Sequence, residues 1–552
     1  MIETDVLIAG GGPYGLMLAN ELGRRGIRCL LVDAKPGTAF NPQANATQAR
    51  TMEHFRRLGF AHEIRELGLP ADHPTDIAYF TRYSTHELAR LRLPTAAMAV
   101  QQVRTLGGSW SAAELPHRVS QKFVEATLRR HAQACPSVDL RYGWSLIDFR
   151  DDGASIAATV RPVADGAPVS VLAHYLVGAD GARSFVRHRL GIEWGGSTGA
   201  QRDFLGGRMF AVYLRAPGLH AAIPHPKAWM YVAVNAQRRA FMAAVDGVSE
   251  FAFHAAMHSG ETPEAWGPDD ARRVFAEALG TVLPIEVLST GIWTAGHALV
   301  AQQFQQGRIF IGGDAAHLFT PTGGLGYNTA VEDAVNLGWK LASVLRGSSP
   351  EALLASYEPE RKPVAKRNTG YAKQFADSVG LFKALPALEA DGPAGDAERA
   401  LASAHLNAHV RLEFDIPGVT FGARYDASPV IVADGSRPPP DAANVYTPSA
   451  CPGGRAPHAW LDDGRSLFDC LGFEWTLLVL GPEPPDTSAF VRSAIALKLE
   501  LRVVHQRSPS LRTLYEAPLA LVRPDQVVAW RGHGAEHAHS VLLKVTGHAL
   551  TA

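Results

Sequence analysis

The chain has 552 residues, of which 46% are hydrophobic and 19% charged, a balance that excludes intrinsic disorder as its main state. That length predicts about three or four domains. Its 53 basic and 54 acidic side chains leave a formal charge of −1, which gives no electrostatic reason to expect nucleic acid or an anionic membrane as a partner.

The cysteine usage and the first residues favour a cytoplasmic protein. The chain has four cysteines and no C-x-x-C pair, so neither a zinc site nor a dithiol redox motif is indicated. Sparse cysteines in a long chain are typical of a reducing compartment. No basic flank precedes the first strand-like segment, so we expect no signal peptide. No uncharged apolar run reaches the length that spans a bilayer.

The first chemical motif lies near the N-terminus. The apolar residues 5–9 predict a buried parallel strand, and the pattern G-x-G-x-x-G follows at Gly10, Gly12 and Gly15. Gly10 permits a tight turn, Gly12 lets the backbone approach a pyrophosphate, and Gly15 lets the next helix pack on the strand. The N-terminus of that helix offers free N–H groups to phosphates.

A second predicted strand ends in an acid. Asp33 follows Gly15 by 18 residues (33 − 15). Its carboxylate can accept hydrogen bonds from a ribose diol and would repel the 2′-phosphate of NADP. Strand, turn, helix and acid thus occur in the order that predicts dinucleotide binding, although this motif alone does not separate FAD from NAD.

Two later segments repeat a strand followed by a turn. In residues 175–187 a strand leads to a turn at Asp180, and Ser184 is placed to cap a short helix. In residues 307–328 a strand delivers Asp314 to its carboxyl end, a glycine-rich turn follows, and apolar spacing predicts a long helix from near Asn328.

The three motifs, in this order over about residues 3–372, resemble those of the class A flavoprotein aromatic hydroxylases, the group built on the para-hydroxybenzoate hydroxylase fold. Residues 422–429 and 452–460 resemble the phenol-hydroxylase-like branch, which includes the 2-hydroxybiphenyl and chlorophenol monooxygenases. The resemblance therefore covers nearly the whole chain and identifies the dinucleotide as FAD.

We expect an α/β protein of three domains. Strand formers and aromatic residues predict an antiparallel substrate-binding sheet over residues 201–300. The resemblance implies a Rossmann-like FAD-binding domain at 1–200 and 301–372, interleaved with substrate-domain segments at about 75–110. It also implies a C-terminal thioredoxin-like domain at 400–552, without redox cysteines.

The resemblance assigns roles to individual residues. Asp314 would hydrogen-bond the ribityl chain, and residues 323–328 would lie along the isoalloxazine. Asp180 belongs with Arg183 to a motif that serves FAD and nicotinamide binding. The family glutamine that touches the flavin phosphates or ribityl chain falls at Gln121, with Arg118 as a second candidate. The full expected cofactor set is Gly10, Gly12, Pro13, Gly15, Asp33, Ala34, Gln43, Gln121, Asp180, Asp314, Gly324, Gly326, Tyr327 and Asn328.

One position departs from the family pattern. The family has Pro-Arg-Ala before residue 50, with the arginine near the flavin and nicotinamide phosphates, whereas this chain has Gln43 there. The change removes a cation. It leaves the usual nicotinamide contact, and the choice between NADPH and NADH, open.

The resemblance also implies the chemistry. NADPH or NADH reduces FAD, the reduced flavin adds O2, and the resulting C4a-hydroperoxide hydroxylates a phenolic ring. We expect a small aromatic substrate between the flavin and the middle sheet, and the sequence leaves a homodimer open. Candidate substrate contacts, each with plain core packing as its alternative, are Asn45, Tyr213, Trp229, Tyr231, Trp293 and Pro321.

No catalytic base is assigned. Asn45 stands where the biphenyl branch has a histidine, and an amide can orient a hydroxyl but cannot act as a base. His225, His297 and His317 are alternatives for which structural roles are favoured.

Other functions remain to be weighed against phenol hydroxylation. Flavin-dependent halogenases share the fold, but the chain lacks their Trp-x-Trp segment. Hydroxylation of a polycyclic natural product is the main alternative. A protein that holds FAD without turnover and a plain NAD dehydrogenase are two further ones. The flavin absorbance separates the dehydrogenase, and substrate-stimulated oxidation of NAD(P)H separates the inert flavoprotein.

Overall fold

The structure of the chain is a computed structural model that describes residues 1–200, 202–258, 260–262 and 266–550. Its strands, in chain order, are β1 (Ile2–Ala9), β2 (Cys29–Asp33), β3 (Ile77–Phe80), β4 (Glu87–Leu91), β5 (Val138–Tyr142), β6 (Trp144–Asp151), β7 (Ile156–Pro162), β8 (Val169–Gly178), β9 (Trp194–Ser197), β10 (Arg208–Arg215), β11 (Met230–Ala233), β12 (Ala240–Ala244), β13 (Glu250–Ala256), β14 (Glu286–Thr294), β15 (Ala298–Ala301), β16 (Gln305–Gln306), β17 (Ile309–Ile311), β18 (His317–Leu318), β19 (Trp475–Leu480), β20 (Leu501–Gln506), β21 (Leu519–Val522) and β22 (Val528–Gly532). Its α-helices are α1 (Pro13–Gly23), α2 (Ala49–Leu58), α3 (Ala61–Arg65), α4 (Ala96–Gln102), α5 (Gln121–Gln133), α6 (Phe185–Arg189), α7 (Leu219–Ala222), α8 (Pro268–Leu279), α9 (Leu325–Leu345), α10 (Tyr357–Gly380), α11 (Pro393–Phe414), α12 (Pro417–Phe421), α13 (Leu467–Cys470), α14 (Ser488–Ala496), α15 (Pro509–Tyr515) and α16 (Ala538–Val545).

The N-terminal motif forms the centre of an eight-stranded sheet. Its main path is β16-β17-β8-β1-β2-β5, and β7 joins β8 to β6. The central strand β1 pairs in parallel with both β2 and β8. Val6, Leu7 and Ile8 of β1 are fully buried, as a parallel strand covered on both faces requires. The predicted Rossmann-like domain is confirmed, with the first turn and Asp33 at the carboxyl ends of β1 and β2.

The middle sheet has seven strands in the order β14-β10-β13-β12-β11-β3-β4. Every neighbouring pair is antiparallel except β11 and β3, which run parallel. The segment with β3 and β4 comes from a much earlier part of the chain, so it joins the sheet edge by a long connection rather than by a hairpin.

The two faces of the middle sheet differ in burial. Residues paired across antiparallel strands share a face, and so do residues two apart along a strand. One face is closed: Phe251 and Phe253 are fully buried, and the Phe253 ring lies 5.4 Å from that of Phe275 on α8. The other, which we call the open face, keeps partly exposed residues. The open face is defined by Ala211, Met230, Phe241, His254 and Trp293.

The last domain is a four-stranded sheet in the order β20-β19-β21-β22. β19 and β20 are parallel, and the other two pairs are antiparallel. With α14 between β19 and β20 and α16 after β22, this is the thioredoxin-like topology that the resemblance implied. All four cysteines of the chain are free, so the domain carries no disulfide among the described residues.

No helix among the described residues combines the length and apolar character that crossing a membrane requires.

The small sheet β18-β15-β9 joins the carboxyl side of the FAD-binding domain to the middle sheet, because β15 follows β14 after three residues.

Candidate functional site

The three glycines of the first turn have different surroundings. Gly10 has φ of +118°, and a Cβ on it would lie 2.1 Å from the carbonyl oxygen of Ala179. A Cβ on Gly15 would lie 2.0 Å from the carbonyl oxygen of Gly10. A Cβ on Gly12 would meet no atom within 4 Å. Gly10 and Gly15 are therefore required for packing, whereas Gly12 borders open space, as a backbone that must approach a phosphate does.

The helix after this turn can receive an anion. α1 begins at Pro13, and no side chain caps its first N–H groups. Its first turn carries no acidic residue, so the partial positive charge of the helix N-terminus is not neutralised there.

Asp33 holds the turn in shape. Its Oδ2 accepts a hydrogen bond of 2.6 Å from the Gly11 N–H, and its Oδ1 accepts one of 2.7 Å from the Lys35 N–H. The carboxylate is partly exposed and Ala34 beside it is exposed. A carboxylate has about four lone-pair sites, so acceptor positions remain for ribose hydroxyls.

Asp314 directly follows the buried residues 309–313 and makes no hydrogen bond to any described residue. The carboxyl is open to solvent, yet the protein atoms around it raise its pKa by desolvation. The Asp314 carboxylate accepts no backbone N–H, so it does not cap a helix.

A buried ion network lies below Asp314. The Nε2 of His317 is 2.6 Å from Oδ2 of Asp333, and Arg361 donates through Nε to Oδ1 at 2.7 Å. Burial would raise the pKa of Asp333, but Arg361 and His317 bring it below its ordinary value. Asp333 also accepts the Gly313 N–H at 3.2 Å. His317 therefore stabilises the turn at residues 313–317 through its contact with Asp333.

The other two histidine candidates contact neighbouring loops. The Nε2 of His225 contacts the carbonyl oxygen of Thr85, and the Nδ1 of His297 lies 2.7 Å from Oγ1 of Thr198. Each of these histidines therefore has a hydrogen-bonding contact with a neighbouring loop. No group of three or more metal-ligating side chains occurs among the described residues.

The glycine-rich turn is held from two sides. Gly323 and Gly324 both have φ of +65°, a conformation that L side chains rarely adopt. Gln48 donates through Nε2 to the Gly323 carbonyl at 2.8 Å, and Glu413 accepts the Gly323 N–H at 3.0 Å. α9 then begins at Leu325, three residues before the predicted start near Asn328.

Asn328 is fully bonded within the protein. Its Oδ1 accepts from the Gln48 N–H at 2.8 Å and from Oγ1 of Thr51 at 2.7 Å. Its Nδ2 donates to the carbonyls of Ala46 at 2.9 Å and Gly324 at 2.6 Å. The side chain therefore ties residues 46–51 to the glycine-rich turn and has no free hydrogen-bonding position for the cofactor role expected from the resemblance.

Gln121 lies beside residues 44–45, next to the segment 46–51 that Asn328 ties to the glycine-rich turn. Gln121 donates through Nε2 to Glu125 at 2.6 Å, and its N–H donates to the Ala44 carbonyl at 2.7 Å. Oδ1 of Asn45 and Oγ of Ser120 are enclosed without a hydrogen-bond partner. Gln43 is exposed. Enclosed polar atoms that lack a partner fit a region that completes its hydrogen bonds with a bound molecule.

The motif around Asp180 has a clear local role. Oδ2 of Asp180 accepts the Val186 N–H at 3.0 Å, and Oγ of Ser184 accepts the Arg187 N–H at 2.9 Å, so both residues cap α6. Burial raises the pKa of Asp180. Arg183 is exposed.

The predicted substrate contacts divide between the two faces of the middle sheet. Trp229 and Tyr231 are only 2% and 1% exposed and belong to its core, which favours the alternative of plain core packing for both. The Arg118 guanidinium lies 4.4 Å above the Trp229 ring, and burial lowers the pKa of Arg118 to about 10. Tyr213 lies on the same face as Ala211 but is buried, and its hydroxyl accepts from Nζ of Lys122 at 2.5 Å.

Trp293 is the predicted aromatic residue that the open face presents. Trp293 is partly exposed. His297 lies four residues further along the chain, and its carbonyl accepts a hydrogen bond from Oγ1 of Thr320 at 3.1 Å. Thr320 directly precedes Pro321, which is exposed at the start of the glycine-rich turn. The open face therefore adjoins the turn expected to carry the isoalloxazine.

Sequence reasoning missed Phe241 and His254 on the open face. The signal was present in β13, where a single histidine interrupts an otherwise apolar strand after Glu250. Its ring stacks on Phe241 with centroids 4.5 Å apart.

Comparisons with known proteins agree with this geometry. The family model described as FAD binding domain matches residues 3–372, and the one described as aromatic-ring hydroxylase, C-terminal, matches residues 449–549. The first match covers the turn at Gly10, Asp314 and the glycine-rich turn together.

Relatives cover nearly the whole chain. It is 29% identical to the FAD-dependent monooxygenase apdD of Emericella nidulans, over 98% of this chain and 90% of that protein. It is 28% identical to the 2,4-dichlorophenol 6-monooxygenase of Delftia acidovorans, over 96% and 95%. A solved structure of RebC-10x, native and bound to K252c, is 34% identical and superposes with a TM-score of 0.88, over 99% and 100%. The chain therefore belongs to the FAD-dependent aromatic hydroxylases built on the para-hydroxybenzoate hydroxylase fold.

Proposed function

We propose that the chain hydroxylates an aromatic ring that bears a phenolic hydroxyl, with O2 and NADH or NADPH as co-substrates. The observation that carries this proposal is the open face of the middle sheet. Its partly exposed aromatic residues adjoin the glycine-rich turn through the contact between His297 and Thr320.

The described residues fit FAD. The space over Gly12 and the uncapped N-terminus of α1 suit a pyrophosphate, and Asp33 suits a ribose. Asp314, which has no protein partner, is placed to accept a hydrogen bond from the ribityl chain. Bound FAD supplies the hydride acceptor and the transfer of one oxygen atom of O2 to the ring.

The protein's own contribution is to position the ring and keep water out. The wall of the open face combines the Phe241, His254 and Trp293 rings, and aromatic rings favour stacked or edge-on contact with another ring. A mainly apolar wall with one polar group is typical of a site that orients a small aromatic ligand.

A polycyclic aromatic substrate is the second candidate. Its support is the protein named Putative polyketide hydroxylase in Streptomyces coelicolor, which is 28% identical over 99% of this chain, the same identity as the 2,4-dichlorophenol enzyme. The choice of reductant rests on Gln43, whose exposed amide carries no charge to select a 2′-phosphate, so we propose weak discrimination between NADPH and NADH.

The test is a panel of simple phenols and polycyclic phenols with the purified holoenzyme. Oxidation of NADH and of NADPH is followed with and without each compound, and H2O2 is measured alongside. A substrate raises oxidation of the nicotinamide without an equal release of H2O2. If no compound of either class does so, the proposed hydroxylation is wrong, although FAD binding would stand.

A further inference from the structure

His254 has one hydrogen bond, and that bond fixes the position of its proton. Trp293 donates through Nε1 to Nδ1 of His254 at 3.1 Å. An indole N–H can only donate, so Nδ1 must carry the lone pair. A neutral imidazole with an acceptor at Nδ1 carries its proton on Nε2.

The ring of His254 is also fixed in orientation. The Phe241 ring stacks on it at 4.5 Å with an interplanar angle of 15°, and the Trp293 ring meets it edge-on at 5.7 Å and 82°. Burial lowers the pKa of His254 to about 4, and no charged group contributes to that change. The imidazole is therefore neutral near pH 7 and held in one plane.

Nε2 of His254 is a free donor on the open face. It has no hydrogen-bond partner among the described residues and is not enclosed by protein atoms. His254 pairs across the sheet with Ala211 and Phe241, both partly exposed on the same face. A donor fixed in direction, on an apolar wall, is suited to recognising a single oxygen atom of an aromatic ligand.

We infer that His254 is a substrate-binding residue whose Nε2–H donates a hydrogen bond to the phenolic oxygen, and that Trp293 is a positioning residue that keeps His254 in the required tautomer. This inference rests on the proposed function, because it assigns the oxygen-bearing end of the phenol to His254. Phe241, stacked on His254, then lies beside the ring of the substrate.

The experiment compares two ligands that differ by one hydroxyl. The flavin absorbance of the holoenzyme is titrated with 2,4-dichlorophenol and with 1,3-dichlorobenzene, for the wild type and for His254→Phe, His254→Gln and Trp293→Phe. We expect the wild type to bind the phenol about tenfold more tightly, as one hydrogen bond provides. His254→Phe should lose that preference, and His254→Gln, which keeps a donor near the position of Nε2, should recover part of it.

Trp293→Phe leaves His254 in place but releases its tautomer, so it should reduce the preference without removing it. The thermal melting and flavin content of each variant show whether it is folded. The inference is overturned if the wild type does not prefer the phenol, or if folded His254→Phe keeps the preference. A protein that shows the predicted pattern of binding but never hydroxylates a phenol would refute the proposed function. A protein that hydroxylates a phenol while folded His254→Phe keeps the preference would overturn this inference alone.

Discussion

Two polar residues show how differently a side chain can serve the flavin region. The Asn328 side chain makes four hydrogen bonds, all within the protein, whereas the Asp314 side chain makes none with the described residues. An amide with no free position is a structural element. A solvent-exposed carboxylate that has no hydrogen-bond partner in the protein keeps its acceptor positions available to a ligand.

For Asp314→Ala we expect a folded protein that binds FAD at least tenfold more weakly, because the variant loses a charge-assisted hydrogen bond to the ribityl chain, of about 1.5–3 kcal/mol. The melting temperature of the flavin-free protein should not change, since Asp314 has no protein partner. The measurement is FAD titration by fluorescence quenching, with Asp314→Asn as a control of intermediate affinity. Full flavin occupancy in Asp314→Ala would refute the assignment.

Gly10 and Gly12 provide a matched pair of alanine substitutions. Gly10→Ala places a Cβ 2.1 Å from the Ala179 carbonyl at φ of +118°, so we expect little folded protein. Gly12→Ala meets no protein atom within 4 Å, so the flavin-free protein should be as stable as the wild type, but FAD binding should weaken at least tenfold. Denaturant unfolding and FAD titration test both. Unchanged affinity in Gly12→Ala would show that no phosphate lies there.

At the scale of elements, sequence patterns predicted the strands and turns better than the contacts that these elements make with distant parts of the chain. β1, α1 and β2 follow from apolar runs, glycines and a terminal acid, all of which are local. The start of α9 was placed three residues late because the turn before it is held by Gln48 and Glu413, which lie far away in the chain.

The middle sheet shows the same limit. Strand formers and aromatic residues predicted this sheet, but which face would be covered depends on α8 and on the parallel strand β3. Trp229 and Tyr231 were therefore expected at the substrate although they are core residues, and His254 was missed although it lies on the open face.

Asn328 joins two elements, and its removal should weaken both. For Asn328→Ala we expect a loss of about 2–4 kcal/mol in the free energy of unfolding, since four hydrogen bonds disappear, three of them buried, and leave their partners unpaired. Urea unfolding of the flavin-free protein measures it. The control Asn407→Ala, an exposed residue bonded only within α11, should cost less than about 0.5 kcal/mol. Equal effects of the two substitutions would contradict this role.

At the scale of the whole molecule, buried ion pairs join the C-terminal domain to the rest. Glu53 of α2 receives two hydrogen bonds from Arg455, and Arg523 donates to Glu360 of α10 at 2.7 Å and 2.8 Å. Breaking such a pair leaves a buried charge without its partner. The thioredoxin-like domain is thus anchored to the helices that flank the flavin region.

The Glu53 pair makes stability depend on acid pH. Burial would raise the pKa of Glu53, but Arg455 and Arg50 lower it to about 2, against an ordinary value of 4.5. Because the folded-state pKa is the lower one, this stability is present above pH 4.5 and is lost as the pH falls toward 2. Glu53→Gln should cost about 3–5 kcal/mol near pH 7 and should flatten the fall in stability over that range.

Denaturant unfolding from pH 7 down to pH 3 is the measurement for this pair. Asp463→Asn, which removes an exposed ion pair with Arg465, is the control and should leave the pH profile of the wild type unchanged. An acid profile of Glu53→Gln as steep as that of the wild type would show that Glu53 does not carry the effect.

The most direct test of the proposed hydroxylation follows the oxygen atom itself. The holoenzyme is supplied with NADH and O2 labelled with heavy oxygen, together with the phenol that most stimulates oxidation of NADH, and the product is analysed by mass spectrometry. We predict one labelled oxygen atom in each hydroxylated product and one NADH consumed per product. Consumption of NADH that yields only H2O2 with every phenol, or a product whose new oxygen comes from water, would contradict the account.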